Sequence, residues 1–199
     1  MNFASENVRK KAEKLLLRLE PDLRGAGFFP EWTQGSWRLS KEGSPWRISC
    51  GFEIGNKFLT KMYCLYFRLT LDECEFADDF EARCEFLGGI NIKGVIFRRR
   101  KGNLPEIETL CDDPALADSI CGAAGKFDIE TIYVRCNRAL GTLSIEIKPY
   151  AGAFVWVKFP PLTRQIPLRP DETAALCDLA NFMKKHFSEY RRPVSVTEQ

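Results

Sequence analysis

The sequence predicts an α+β fold: one antiparallel β-sheet of about seven or eight strands, with N-terminal, short middle and long C-terminal helices packed against it. Three observations predict it. Segments with apolar residues at every second position follow one another from Ile48 to Arg99 and from Phe127 to Leu168, and strands that run consecutively pair antiparallel. Apolar residues at every third or fourth position mark a helix at each end of the chain. Turn-forming pairs such as Gly55-Asn56 and Gly88-Gly89, and the corner Pro149-Tyr150-Ala151-Gly152, fall between the alternating segments.

The first helix has Ser5 as its N-cap and Val8, Ala12, Leu15, Leu16 and Leu19 as its apolar stripe. Arg9, Lys10, Lys11, Lys14 and Arg18 cover the other side, and Pro21 ends the helix. A basic amphipathic helix can lie on an anionic membrane, but Glu6, Glu13 and Glu20 dilute the charge, so packing on the protein's own sheet is expected. The segment 22–47 is rich in Gly, Pro, Ser and Trp and reads as loop around one short strand at 36–39. Trp32, Trp37 and Trp46 either pin it to the core or present a docking surface.

Ile48 to Ile54 and Lys61 to Leu71 form a hairpin; the second places Tyr63, Leu65, Phe67, Leu69 and Leu71 on one face. Phe80 to Phe86 and Ile90 to Arg99 form another pair, closed by the basic run Arg98-Arg99-Arg100-Lys101. Glu108 to Leu110 reads as a short edge segment, and Asp113-Pro114 opens a brief helix as N-cap and first residue. A meander of three strands follows. Ile132, Val134 and Cys136 alternate, as do Leu143, Ile145 and Ile147; Phe154 to Phe159 is apolar on both faces, as in a strand covered twice or lining a cavity. Pro160-Pro161 stops that ladder. Pro170-Asp171-Glu172 opens the last helix, with Leu176, Leu179, Met183, Phe187 and Tyr190 as its stripe and Pro193 as its stop. Residues 1–193 read as a single domain and 194–199 as a frayed tail.

The 199 residues include 45% hydrophobic and 28% charged, with fifteen Phe and four Trp, enough to bury a substantial core. A formal net charge of +2 gives no bulk signal for a polyanionic partner. The opening MNFASENVRKKAEK carries charges where an apolar leader would stand, and no window reaches the ~18 uncharged apolar residues of a membrane span. A cytoplasmic protein is expected. Its eight cysteines contain no CxxC pair and are too sparse for a disulfide scaffold, so they read as reduced, structural thiols.

Enzymatic motifs are missing: no GxGxxG, GxxxxGK[ST], GxSxG or HExxH occurs. The single histidine, His186, stands between Lys185 and Phe187 and is expected at the surface without an orienting partner. Neither a metal site nor a cofactor is expected. The stretch Pro149 to Trp156, continuing through Lys158-Phe159-Pro160-Pro161-Leu162-Thr163-Arg164-Gln165-Ile166-Pro167-Leu168, resembles a family of short bacterial proteins of unknown function. The similarity spans Trp46 to Phe187 and includes Asp113-Pro114-Ala115-Leu116. It implies a bacterial source and no activity, and it carries over no functional residue.

The functional expectation is a non-enzymatic binding module. Phe154, Trp156, Phe159, Met183 and Phe187 would line a cavity for a small apolar molecule between the sheet and the C-terminal helix. The alternatives are a protein-interaction domain using segment 28–47 or the Pro160-Pro161 corner, and anion or nucleic-acid binding through Arg98, Arg99, Arg100 and Lys101. The near-neutral total charge disfavours the last.

Overall fold

The computed structural model describes residues 3–41, 43–88 and 92–188. Its centre is a 12-residue strand, β4 (Thr60–Leu71), which buries Tyr63, Leu65, Phe67, Leu69 and Leu71 on one face as the alternation predicts. On one side lies β3 (Trp46–Lys57), in register along its whole length, followed by β2 (Ser36–Ser40) and β1 (Phe29–Thr33). On the other side β8 (Thr142–Pro149) pairs with Phe67–Leu71, and beyond it come β7 (Ile129–Asn137), β5 (Phe80–Leu87) and β6 (Gly94–Lys101). Every pairing is antiparallel, and ten strands share the sheet among the described residues.

The last strand of the expected meander is not a neighbour of the second. β9 (Ala153–Val157) pairs with Thr60–Tyr63, the other half of the β4 edge that β8 occupies, and β10 (Leu162–Ile166) pairs with β9. The four-residue step from Tyr63 to Phe67 is matched by a seven-residue step from Ile147 to Phe154. β8 and β9 are therefore one ribbon along β4, interrupted by a corner with three surplus residues. Gly152 makes that corner possible: its φ is +80°, and a Cβ there would lie 2.5 Å from Leu65 Cδ2. β9 is also not covered twice: Phe154 is buried, while Val155 and Val157, on the opposite face, are only half-buried.

The helices cover one face. α1 (Phe3–Leu17), α2 (Glu20–Gly25) and the turn between them contribute Leu16, Leu23 and Leu19 to the main core. α3 (Pro105–Cys111), α4 (Pro114–Ala124) and α5 (Pro170–Ser188) contribute Ile107, Leu116, Ile120, Met183 and Phe187. A second cluster sets Val8, Ala12 and Leu15 of α1 against Tyr63 and Phe154. Asp113 caps α4 through Ala115 N–H at 2.8 Å, as its Asp-Pro sequence predicts. Two prolines act differently from expectation. Pro21 does not end the first helix; it sits in the first turn of α2, where its missing N–H costs nothing. The Glu108–Leu110 segment is helix rather than edge strand, because Pro105 and the acids Glu106 and Glu108 supply helix-start chemistry. Ser5 lies inside α1 rather than ahead of it, and its side chain, Gly89, Ile90, Tyr190 and Pro193 fall outside the described residues.

The other face of the sheet is polar. Glu146 of β8 accepts a 2.8 Å hydrogen bond from Arg68 Nε and lies 3.6 Å from Arg135 and 3.3 Å from Lys148. Burial pushes its carboxyl up, but the Arg68 hydrogen bond and the three positive charges outweigh that and hold it below its ordinary range. Arg135 continues to Glu81 at 2.9 Å, and Lys148 to Glu53. Arg68 and Arg135 meet Glu146 from the two strands beside it, while Lys148 meets it from its own strand and reaches Glu53 two strands away, a network of mutually paired charges rather than a reactive site.

Candidate ligand-binding cleft

The five residues expected to line a cavity are divided among three environments. Met183 and Phe187 are fully buried in the main core under α5. Phe154 is fully buried in the second cluster, with Trp156 packed at its margin, beneath α1 rather than α5. Phe159 is 76% exposed in the turn between β9 and β10. No cavity described below is lined by any of them.

The basic run lies along β6, and each of its cations faces a carboxylate. Arg99 reaches Glu108 at 2.9 Å, Arg100 reaches Glu85 at 3.2 Å and Lys101 reaches Asp79 at 2.8 Å; Arg98 also pairs with Glu85. The tryptophans serve the core: Trp37 Nε1 donates to Leu16 O and Trp46 Nε1 to Ser188 Oγ, both at 2.8 Å, while half-buried Trp32 stacks edge-on against Trp37. His186 is not on the surface. It lies against Phe182 and Phe187, with Nε2 2.9 Å from Leu110 O and Nδ1 3.7 Å from Asp113. The eight cysteines are free, and burial pushes the thiols of Cys84, Cys136 and Cys177 up to about 12.

The largest described cavity lies elsewhere, at the start of α5 and the end of the sheet. It is an open cleft of about 800 Å³. Its floor is Ile129 and Ala151, and its walls are Tyr150, Ile166, Pro167 and Ile92. Three of these walls follow from the corner in the β8–β9 ribbon, and Ile92 comes from the β5–β6 connection. The surplus residues lift Tyr150 out of the ladder, leaving its ring 60% exposed, while its N–H is retained by Asp128 O at 3.0 Å. Gly152 N–H returns to Ile166 O at 2.6 Å and fixes the end of β10 beside the corner. Ile166-Pro167-Leu168 then leads into α5, whose first turn is closed by Glu172 accepting from Arg169 N–H at 2.8 Å.

Polar groups gather at that end. Asp128, Arg169 and Glu172 line the mouth, with Arg169 3.2 Å from Glu172 and 3.4 Å from Asp171. A smaller, apolar pocket of about 70 Å³ lies beyond Pro167, which lines both spaces. It is bounded by Leu15 of α1, Leu19 just ahead of α2, Phe52, Leu65 and Leu168, with Arg18 and Asp22 at its edge. These positions come from separate turns with no shared period. The available sequence signal was a tyrosine between Pro149 and Gly152, in a corner where a large apolar ring has no local packing partner.

The fold and the cleft define a class: an α+β protein whose antiparallel sheet is covered by helices on one face and opens into a cleft at its end. The chain belongs to the family described as protein of unknown function (DUF3156), which matches residues 22–187, and this agrees with the resemblance read from its sequence. No curated protein and no solved structure matches it.

Proposed function

We propose that this protein is a non-enzymatic binding module that holds a small, largely apolar molecule with a polar end. The ligand lies between the end of the sheet and the first turn of α5. The observation that carries the reading is the cleft of about 800 Å³ whose wall leaves Tyr150, Ile166 and Ile92 exposed together. That volume is in the range of small-molecule sites, and an apolar wall with a few convergent polar groups is their usual composition. The apolar body of the ligand would cover these side chains; its polar end would meet Asp128 and Arg169. Glu172 is engaged in capping α5, which supports a binding role over an acid–base one. The eight free thiols support a reducing compartment, the cytoplasm, and the sequence resemblance supports a bacterial source.

A thermal-shift screen with fatty acids, sterols and small aromatics tests the proposal. A hit should raise the unfolding midpoint of the wild type, and Tyr150→Ala should weaken it without lowering the midpoint of the free protein, since that ring is exposed. A panel in which nothing shifts the midpoint, or a hit indifferent to both Tyr150→Ala and Ile166→Ser, would remove the cleft from consideration.

A further inference from the structure

Two adjacent turns of this protein both carry large apolar side chains where polar ones are the rule. The two-residue turn of the β3–β4 hairpin is Phe58-Leu59, although Asn, Asp and Gly are the favoured residues there. Phe58 is 92% exposed, the extreme among the exposed large hydrophobics described. The turn joining β9 to β10 is Lys158-Phe159-Pro160-Pro161, with Phe159 and then Leu162 exposed. The two turns lie side by side: Thr60 opposes Val157, and Lys158 N–H donates to Leu59 O at 2.7 Å. One end of the molecule thus presents Phe58, Leu59, Phe159 and Leu162 as a single apolar prow. A scattered exposed apolar residue needs no explanation, but two adjacent turns that both break their own local chemistry do.

The chain segments that form the prow carry charge of one sign. Residues 54–61 contain Lys57 and Lys61 and no acid; residues 153–166 contain Lys158 and Arg164 and no acid. The chain as a whole is only +2, so these stretches stand against a net acidic remainder. Lys158 and Arg164 are exposed, with no carboxylate within 4.0 Å among the described residues. α1 is seated over the same end through Val8 and Ala12 on Tyr63 and Phe154; it adds exposed Lys11 and Lys14, while its acids Glu6 and Glu13 pair with Lys10 and Arg9.

We infer that this end docks on an anionic membrane surface, with the four apolar side chains entering the interface and the surrounding cations meeting lipid phosphates. A convex apolar point ringed by cations complements a layer that is anionic at its surface and apolar just beneath. It does not depend on the cleft, which lies at the other end of β9 and β10, so either reading can fail without the other.

The test is co-flotation of the full chain with vesicles of phosphatidylcholine alone and of phosphatidylcholine mixed with phosphatidylglycerol. Binding is expected to the anionic vesicles and to fall as salt is raised. Phe58→Ser and Phe159→Ser should each lower the partition coefficient about tenfold, the scale of removing one buried aromatic ring. Lys158→Glu combined with Arg164→Glu should abolish the preference for anionic lipid. Leu140→Ser, which removes an exposed apolar residue from the turn between β7 and β8, should leave binding unchanged. All of these side chains are exposed, so unfolding midpoints should match the wild type and report that each variant is folded. Failure to float with anionic vesicles at low salt overturns the inference, as does flotation that survives both phenylalanine substitutions. A concentration-dependent dimer abolished by Phe58→Ser, with no vesicle binding, would also overturn it and assign the prow to a second copy of the chain.

Discussion

Glu146→Gln isolates what the polar face of the sheet contributes. The Glu146 side chain is 4% exposed, whereas Arg68, Arg135 and Lys148 are 45%, 36% and 13% exposed. At an effective dielectric near 20, a pair of unit charges 3.5 Å apart gains about 5 kcal/mol gross. Most of that is offset by taking the carboxylate out of water and by solvent around the half-exposed arginines. Glutamine keeps the shape and one acceptor but leaves three cations facing each other. A net loss of about 2 to 3 kcal/mol follows, the range of one charge-assisted hydrogen bond plus residual repulsion. Urea denaturation followed by far-ultraviolet circular dichroism at neutral pH measures it. Repeating the measurement in acid supplies the sign. The folded carboxyl is held below its ordinary range, so its contribution is fully present above the unfolded value of about 4.3 and is lost as pH falls through the folded one. The gap between wild type and variant should therefore close in that window. A loss under about 0.5 kcal/mol at pH 7, less than an ordinary hydrogen bond, or a gap that widens in acid, would refute the account.

Three further outcomes follow from the geometry. Gly152→Ala should cost about 2 to 4 kcal/mol in urea denaturation, from a left-handed φ and from overpacking against Leu65, while Gly94→Ala should stay within about 0.5 kcal/mol. His186→Ala should cost about 1 to 3 kcal/mol and raise hydrogen exchange across α3, because Leu110 O loses its partner and Phe182 and Phe187 lose the ring between them. Titration of the native protein with a thiol reagent should label Cys64 and Cys121 first; the other six, all buried, should react only on unfolding, and a fast third thiol would contradict the described burial.

Most of the sheet was legible because its residues alternate between core and solvent. β4 shows this over its full length, and β7 and β8 repeat it with Ile132, Val134, Leu143 and Ile145. β10 has no such signature: Leu162 to Ile166 are all exposed, so no period records its pairing with β9. β1 was hidden by Pro30, which is tolerated because β1 pairs only with β2. The partners of β9 are not legible for a different reason: β8 and β9 are consecutive in sequence, and nothing in either strand states that they share one edge of β4. Large, regularly spaced apolar residues are usually consumed by the core, as Met183, Phe187 and Phe154 are, and so do not line a cavity. The cleft instead draws on residues 92, 128, 150, 166 and 169, whose meeting depends on tertiary pairing.

The dislocation between β8 and β9 accounts for both ends of the molecule. Had Ile147 run straight on into Phe154, the ribbon along β4 would have been continuous, and Tyr150 would have taken a place in the ladder. With three surplus residues in the corner, Gly152 falls against Leu65, Tyr150 is displaced outward, and the cleft opens beside it. The same corner restarts pairing at Tyr63 and carries β9 to the level of the Phe58-Leu59 turn, so Phe159 emerges next to Phe58. Deleting Tyr150, Ala151 and Gly152 together removes the surplus. If the corner is the cause, this deletion should abolish small-molecule binding in the cleft while the apolar prow and its vesicle binding persist. Loss of both, in a chain that still unfolds cooperatively, would mean that the two ends are coupled through something other than strand register.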